Sequence, residues 1–159
     1  MLTDTILGIS LGTRRVGMAI GTEQELIDWQ IKVFNETYSK KKAKKIWRTI
    51  ERTIEKHNIQ AIGLKFCQKV LRTDGLAHCL EFITDKAISK GIIIYFYDIQ
   101  TIERYFLKTQ PKNKFELATA ISNKYPELRR EYFKLSKSQY QMKVFEAVGA
   151  MDLALSEFL

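Results

Sequence analysis

Apolar and polar residues recur with two different periods along this chain, and the switches between them predict the order of elements. Residues 5–10, TILGIS, form a short apolar run rich in β-branched side chains, closed by Gly12 and followed by Arg14 and Arg15. VGMAIG (16–21) and LIDWQIKVF (26–34) are two further strands, joined by the polar TEQE. The second places apolar residues at 27, 29, 31 and 33, the pattern of a half-buried strand. Three consecutive strands with short connections predict an antiparallel meander.

The period then changes to that of a helix. Ser39 is a natural N-cap, and Ala43, Ile46, Trp47, Ile50 and Ile54 make one buried stripe through about His57. IQAIGLKF (59–66) is almost continuously apolar, as expected for the buried middle of a sheet. A second helix follows Asp74, with Leu76, Leu80, Ile83 and Ala87 as its stripe and Gly91 as its stop. GIIIYFYDI (91–99) is the next strand. TIERYFL makes a short helix, TQPKNK a loop, and 113–125 a helix stopped by Pro126. The basic and aromatic stretch LRREYFKLSKSQYQMK leads into a last helix from about Lys143 to Phe158. The order β-β-β-α-β-α-β-α-α predicts one α/β domain over residues 1–159. Its sheet is mixed and five-stranded, three antiparallel strands followed by βαβ crossovers, with helices on both faces.

Composition fits one such domain: 159 residues, 45% of them apolar, with eight glycines and two prolines that leave no long linker. No apolar run approaches the ~20 residues of a membrane span, and the N-terminus lacks the pattern of a signal peptide. The expectation is a cytoplasmic protein with no membrane partner. Cys67 and Cys79 form no CxxC pair and read as reduced core residues; His57 and His78 have no ligand spacing. No metal site is expected from these residue types.

Charge changes the picture more. There are 26 Lys and Arg against 18 Asp and Glu, a net +8, compatible with a polyanionic partner. The first helix carries eight basic residues between Lys40 and Lys56 against two acids. That excess is either a solvated face or a phosphate-contacting one.

The opening ILGISLGTRRVGMAI, the closing FEAVGAMDLALSEFL and the order of elements together resemble the RNase H-like fold. More narrowly, the chain is similar to the RuvC-type Holliday junction resolvases and the related YqgF family. That resemblance implies acids converging from the first strand, a later strand and the last helix on two Mg²⁺ or Mn²⁺ ions that hydrolyse a phosphodiester. Matched residue by residue, the first-strand acid falls on Ser10 and the later-strand glutamate on Lys65. The helical pair three residues apart falls on Glu146 and Gly149, and the YqgF acid after the fifth strand on Asp98. Glu146 and Asp152 are about 9 Å apart axially and roughly 120° around the helix, so they do not share one ion.

The set is degenerate, and the expectation is a catalytically inactive relative without a cofactor that binds structured nucleic acid or a nucleic-acid-processing partner. One alternative is an active nuclease using Mg²⁺ or Mn²⁺ on a rearranged set with Asp98 and Glu146. A second is a scaffold or dimerisation protein that never touches nucleic acid. The resemblance also implies a possible homodimer. The same opening is similar to the first phosphate loop of the actin, Hsp70 and sugar-kinase superfamily, but no second glycine-rich loop follows.

Arg14 and Arg15 in the first turn are the nearest candidates for phosphate contact, with Lys108, Lys112 and Lys114 in the later loop. Arg129, Arg130, Lys134 and Lys137 alternate with Tyr132, Phe133 and Tyr140. Such mixing suits phosphate contact with base stacking, or a loop packed through its aromatics. The sequence leaves both open.

Overall fold

A computed structural model describes residues 3–67 and 74–159. Strands β1 (Ile6–Leu11), β2 (Arg15–Gly21) and β3 (Leu26–Val33) form the expected antiparallel meander. Helix α1 (Lys40–His57) crosses to β4 (Ala61–Lys65), and α2 (Asp74–Ser89) crosses to β5 (Ile93–Tyr97). β4 runs parallel to β1, and β5 runs parallel to β4. The sheet order is β3-β2-β1-β4-β5.

The chain then stays on the opposite face through α3 (Ile99–Phe106), α4 (Lys114–Lys124), α5 (Arg129–Lys134) and α6 (Met142–Phe158). Short 3-10 turns at Pro126–Leu128 and Gln139–Gln141 flank α5. The sequence-based order closes with two helices where the structure has four, α3 to α6; of these α5, in the basic and aromatic stretch, is the helix that no segment of the sequence reading named. Among the described residues no helix is long and apolar enough to cross a membrane.

Alternation along β1 builds two cores. Leu7, Ile9 and Leu11 pack with Ala43, Ile46 and Ile50 of α1, whereas Ile6 joins the core around α6. On the α6 side the sheet is almost bare. Gly8 and Gly63 are register partners on β1 and β4. A Cβ on Gly8 would run into the carbonyl of Ala147, and one on Gly63 into that of Ala150. Helix α6 therefore rests backbone against backbone on the centre of the sheet, presenting Ala147, Ala150 and Ala154 as its contact stripe.

Two details depart from the pattern. Lys42, one of the eight basic residues of α1, is buried, and its Nζ donates to the carbonyls of Thr13 at 2.6 Å and Glu36 at 2.7 Å. Its long stem crosses the edge of the apolar stripe and its head finds two acceptors there, which makes it a tether and not a solvated cation. β5 is shorter than 91–99 because Gly91 turns at φ 76 and the N–H of Ile92 closes α2 onto Ala87. As an edge strand β5 leaves Ile93 and Phe96 exposed.

Candidate functional site

Ser10 and Lys65 sit opposite one another where β1 and β4 end, on the face covered by α6. The first turns of α6 lay Lys143 and Glu146 across them. Ser10 Oγ, completely buried, donates to Glu146 Oε1 at 2.7 Å. The same oxygen lies 3.5 Å from Lys65 Nζ and 3.6 Å from Lys143 Nζ. Lys143 Nζ also donates to Ser10 Oγ at 3.4 Å. One carboxylate thus holds a hydroxyl and two ammonium groups in an almost enclosed cluster.

Burial, reinforced by the charge of Lys65, holds the Lys143 ammonium below the usual lysine range, and Glu146 works against that shift. Glu103 of α3 lies near enough to feel the cluster: burial first, then the charge of Glu146, raises its carboxyl.

These residues do not fit a divalent ion. A hard cation needs several carboxylate oxygens, and here the carboxylate is already shared by two ammonium groups that would repel the ion. Among the described residues, no three His, Cys, Asp or Glu side chains come together as a metal-binding group.

The structure sorts the other positions that the resemblance singled out. Gly149 faces α3, where a Cβ would meet Ile102 Cγ2 at 2.7 Å, so an acid there would point into that core. The pair three residues apart that faces Ser10 is Lys143 and Glu146. Lys143 escaped the sequence reading, although stepping back four residues from Ala147 along the small-residue stripe of α6 leads to it. Asp152 lies farther along α6, bonded to Lys124 Nζ at 2.6 Å and Tyr125 Oη at 2.5 Å.

Asp98 is engaged elsewhere: its Oδ1 accepts from the Thr101 N–H at 2.8 Å and the Thr101 hydroxyl at 2.7 Å, capping α3. Those bonds hold its carboxyl below the ordinary value of 3.8. Its stabilisation is therefore full above that value and disappears as pH falls through the lower folded value. Asp98→Ala should cost about 1 kcal/mol in a urea melt, the cost of a lost cap. Nucleic-acid affinity should be unchanged.

The basic candidates divide between surfaces. Arg14 lines a hollow of about 360 Å³ with Gly12, Thr13, Tyr38 and Lys42 on the α1 and α2 side. Arg15 instead lays its guanidinium over the ring of Tyr140, 3.4 Å from its centroid, on the α6 side. Lys108 lies beside a hollow of about 270 Å³ between α3 and the loop to α4, lined also by Gln100, Glu103 and Arg104. Lys112 is exposed in that loop, and Lys114 begins α4, reaching Gln139 at 3.5 Å. Arg129, Arg130, Lys134 and Lys137 cluster around Phe133 on and just after α5.

A five-stranded sheet in the order β3-β2-β1-β4-β5, with only β2 antiparallel to the strand beside it on each side and helices on both faces, defines an RNase H-like α/β protein. Within that class the chain is similar in structure to Holliday junction resolvases. Thermus thermophilus RuvC in complex with its Holliday junction substrate superposes at TM-score 0.68 and 14% identity, covering 93% of this chain and 90% of RuvC. A second Thermus thermophilus RuvC structure gives TM-score 0.69 at 13% identity, covering 92% and 90%. The Fowlpox virus resolvase, in complex with Holliday junction DNA, gives TM-score 0.52 at 12% identity, covering 96% and 99%. No protein-family model and no curated protein matches the sequence.

Proposed function

We propose that this chain binds structured nucleic acid and does not cleave it by metal-assisted hydrolysis. The observation that carries this reading is the single Glu146 carboxylate shared between Lys65 and Lys143, beside Ser10, with Ser10 and Lys65 standing where the resemblance calls for metal-binding acids. Two ammonium groups supply at this place the positive charge that divalent ions would otherwise bring, and they cannot activate a water as a bound metal does. Support for a nucleic-acid partner comes from the fold shared with junction-bound resolvases, the net charge of +8, and Arg15 held over Tyr140 on the same face as the cluster.

The test is an electrophoretic shift and cleavage assay on a four-way junction, duplex DNA and structured RNA, in EDTA and with Mg²⁺ or Mn²⁺. Binding should persist in EDTA and weaken steeply with salt, as counterion release requires. No substrate should be cut. Metal-dependent cleavage by the purified chain would overturn the inactive assignment in favour of a rearranged nuclease. Absence of salt-sensitive binding to every substrate would favour a scaffold.

A further inference from the structure

The stretch from Arg129 to Tyr140 divides into residues that anchor it and residues that do not. Tyr132 packs edge-on against Phe145 of α6, with centroids 6.5 Å apart, and its hydroxyl lies 3.0 Å from Thr119 Oγ1 of α4. Leu128 and Leu135 are buried on either side. These contacts hold α5 in place without Phe133, which is 65% exposed. Its ring rises between two hollows. One, of about 480 Å³, is walled by Arg129, Arg130, Lys134 and Lys137. The other, of about 310 Å³, is lined by Thr119, Ser122, Asn123 and Tyr132, and shares Arg129 and Phe133 with the first.

Among the described residues none of the four cations is paired with a carboxylate. An exposed aromatic face, unpaired cations on one flank and hydroxyl and amide side chains on the other meet the three needs of a nucleotide. The ring offers a stacking surface, the cations meet phosphate, and the polar flank meets a base edge. An acidic peptide would use the cations but would gain nothing specific from the ring. A paired base inside a duplex has no free face to offer it.

We propose that Phe133, with Arg130, Lys134 and Lys137, is a binding site for an unpaired nucleotide in single-stranded DNA or RNA, the base stacking on the ring of Phe133. This inference rests on the nucleic-acid reading above and adds to it a preference for substrates with unpaired segments.

Fluorescence anisotropy on the full chain tests it, with a labelled single strand, a blunt duplex of the same length, a four-way junction and a poly-glutamate peptide as probes. Phe133→Ala should weaken single-strand binding about tenfold and leave the blunt duplex within about twofold of wild type. Phe133→Tyr should restore single-strand binding, since the stacking face is retained. Because Phe133 is exposed, both variants should melt as the wild type does. Equal losses on single strand and duplex, or no loss on either, overturn the site while leaving the broader reading intact. A matching loss on poly-glutamate assigns the patch to acidic proteins and also overturns it. Failure of the wild type to bind any nucleic acid sinks the functional reading and this site together.

Discussion

Glu146→Ala is expected to destabilise the fold by about 3–5 kcal/mol, as removal of one partner from a buried charge network does. The carboxylate is the shared counter-charge for Lys65 and Lys143, whose side chains are only 10% and 21% exposed. Without it two ammonium groups face each other across the end of β4 and α6, and the buried Ser10 hydroxyl loses its acceptor at 2.7 Å. The sign of the effect separates this cluster from a metal-binding one. Where several carboxylates converge, deleting one relieves repulsion and stabilises the metal-free protein; here deletion unmasks repulsion. Urea denaturation measures the loss, and Lys65→Met in the Glu146→Ala background should recover part of it by removing one orphaned charge. A cost below about 1 kcal/mol would mean that solvent already screens the lysines, and the enclosed-cluster account would fail.

The pH dependence of the same cluster follows from Lys143. Its folded value lies below the 10.5 of the unfolded chain, so between the two the unfolded state holds more protons. The contribution of Lys143 to stability therefore rises with pH through that window, as the cost of burying its charge is relieved. In Lys143→Met this rise should disappear from the pH profile of urea midpoints.

The order of elements and the placement of helices on both faces follow from the apolar runs, the alternation in β3 and the stripe in α1, because burial on one or two faces writes a period into the sequence. Ser10 and Lys65, which meet as partners at the end of β1 and β4, were equally easy to single out, since both lie on strands that the apolar pattern marks. The helical half of the site was not. A one-residue change of phase on α6 swings a side chain by about 100°, and Glu146 alone fits two pairings. The small-residue stripe settles the phase only once Gly8 and Gly63 are known to lie beneath it. Asp98 could not be placed either: an acid just after a strand serves equally as a ligand or as a helix cap, and the hydroxyl at Thr101 decides for the cap. Arg14 and Arg15, adjacent in sequence, point to opposite sides because a strand begins between them.

Gly8→Ala should be the most damaging conservative change in the chain, costing about 3 kcal/mol or more. The added methyl meets the Ala147 carbonyl and, at 2.7 Å, the Cβ of Met151. A backbone carbonyl in the middle of a helix cannot swing aside as a side-chain tip can, so α6 as a whole must lift from the sheet. Gly63→Ala should act the same way, pushing on the Ala150 carbonyl and, at 2.8 Å, on Ala154 Cβ. Combining the two should cost less than their sum, because a helix already raised by one methyl has room for the other. The damage should reach the cluster as well, since α6 carries Lys143 and Glu146 while Ser10 and Lys65 stay on the sheet. A thermal melt paired with hydrogen exchange at the start of α6 would register both effects. If Gly8→Ala melts like the wild type, α6 does not lie directly on the sheet backbone, and the geometry that brings Glu146 to Ser10 loses its support.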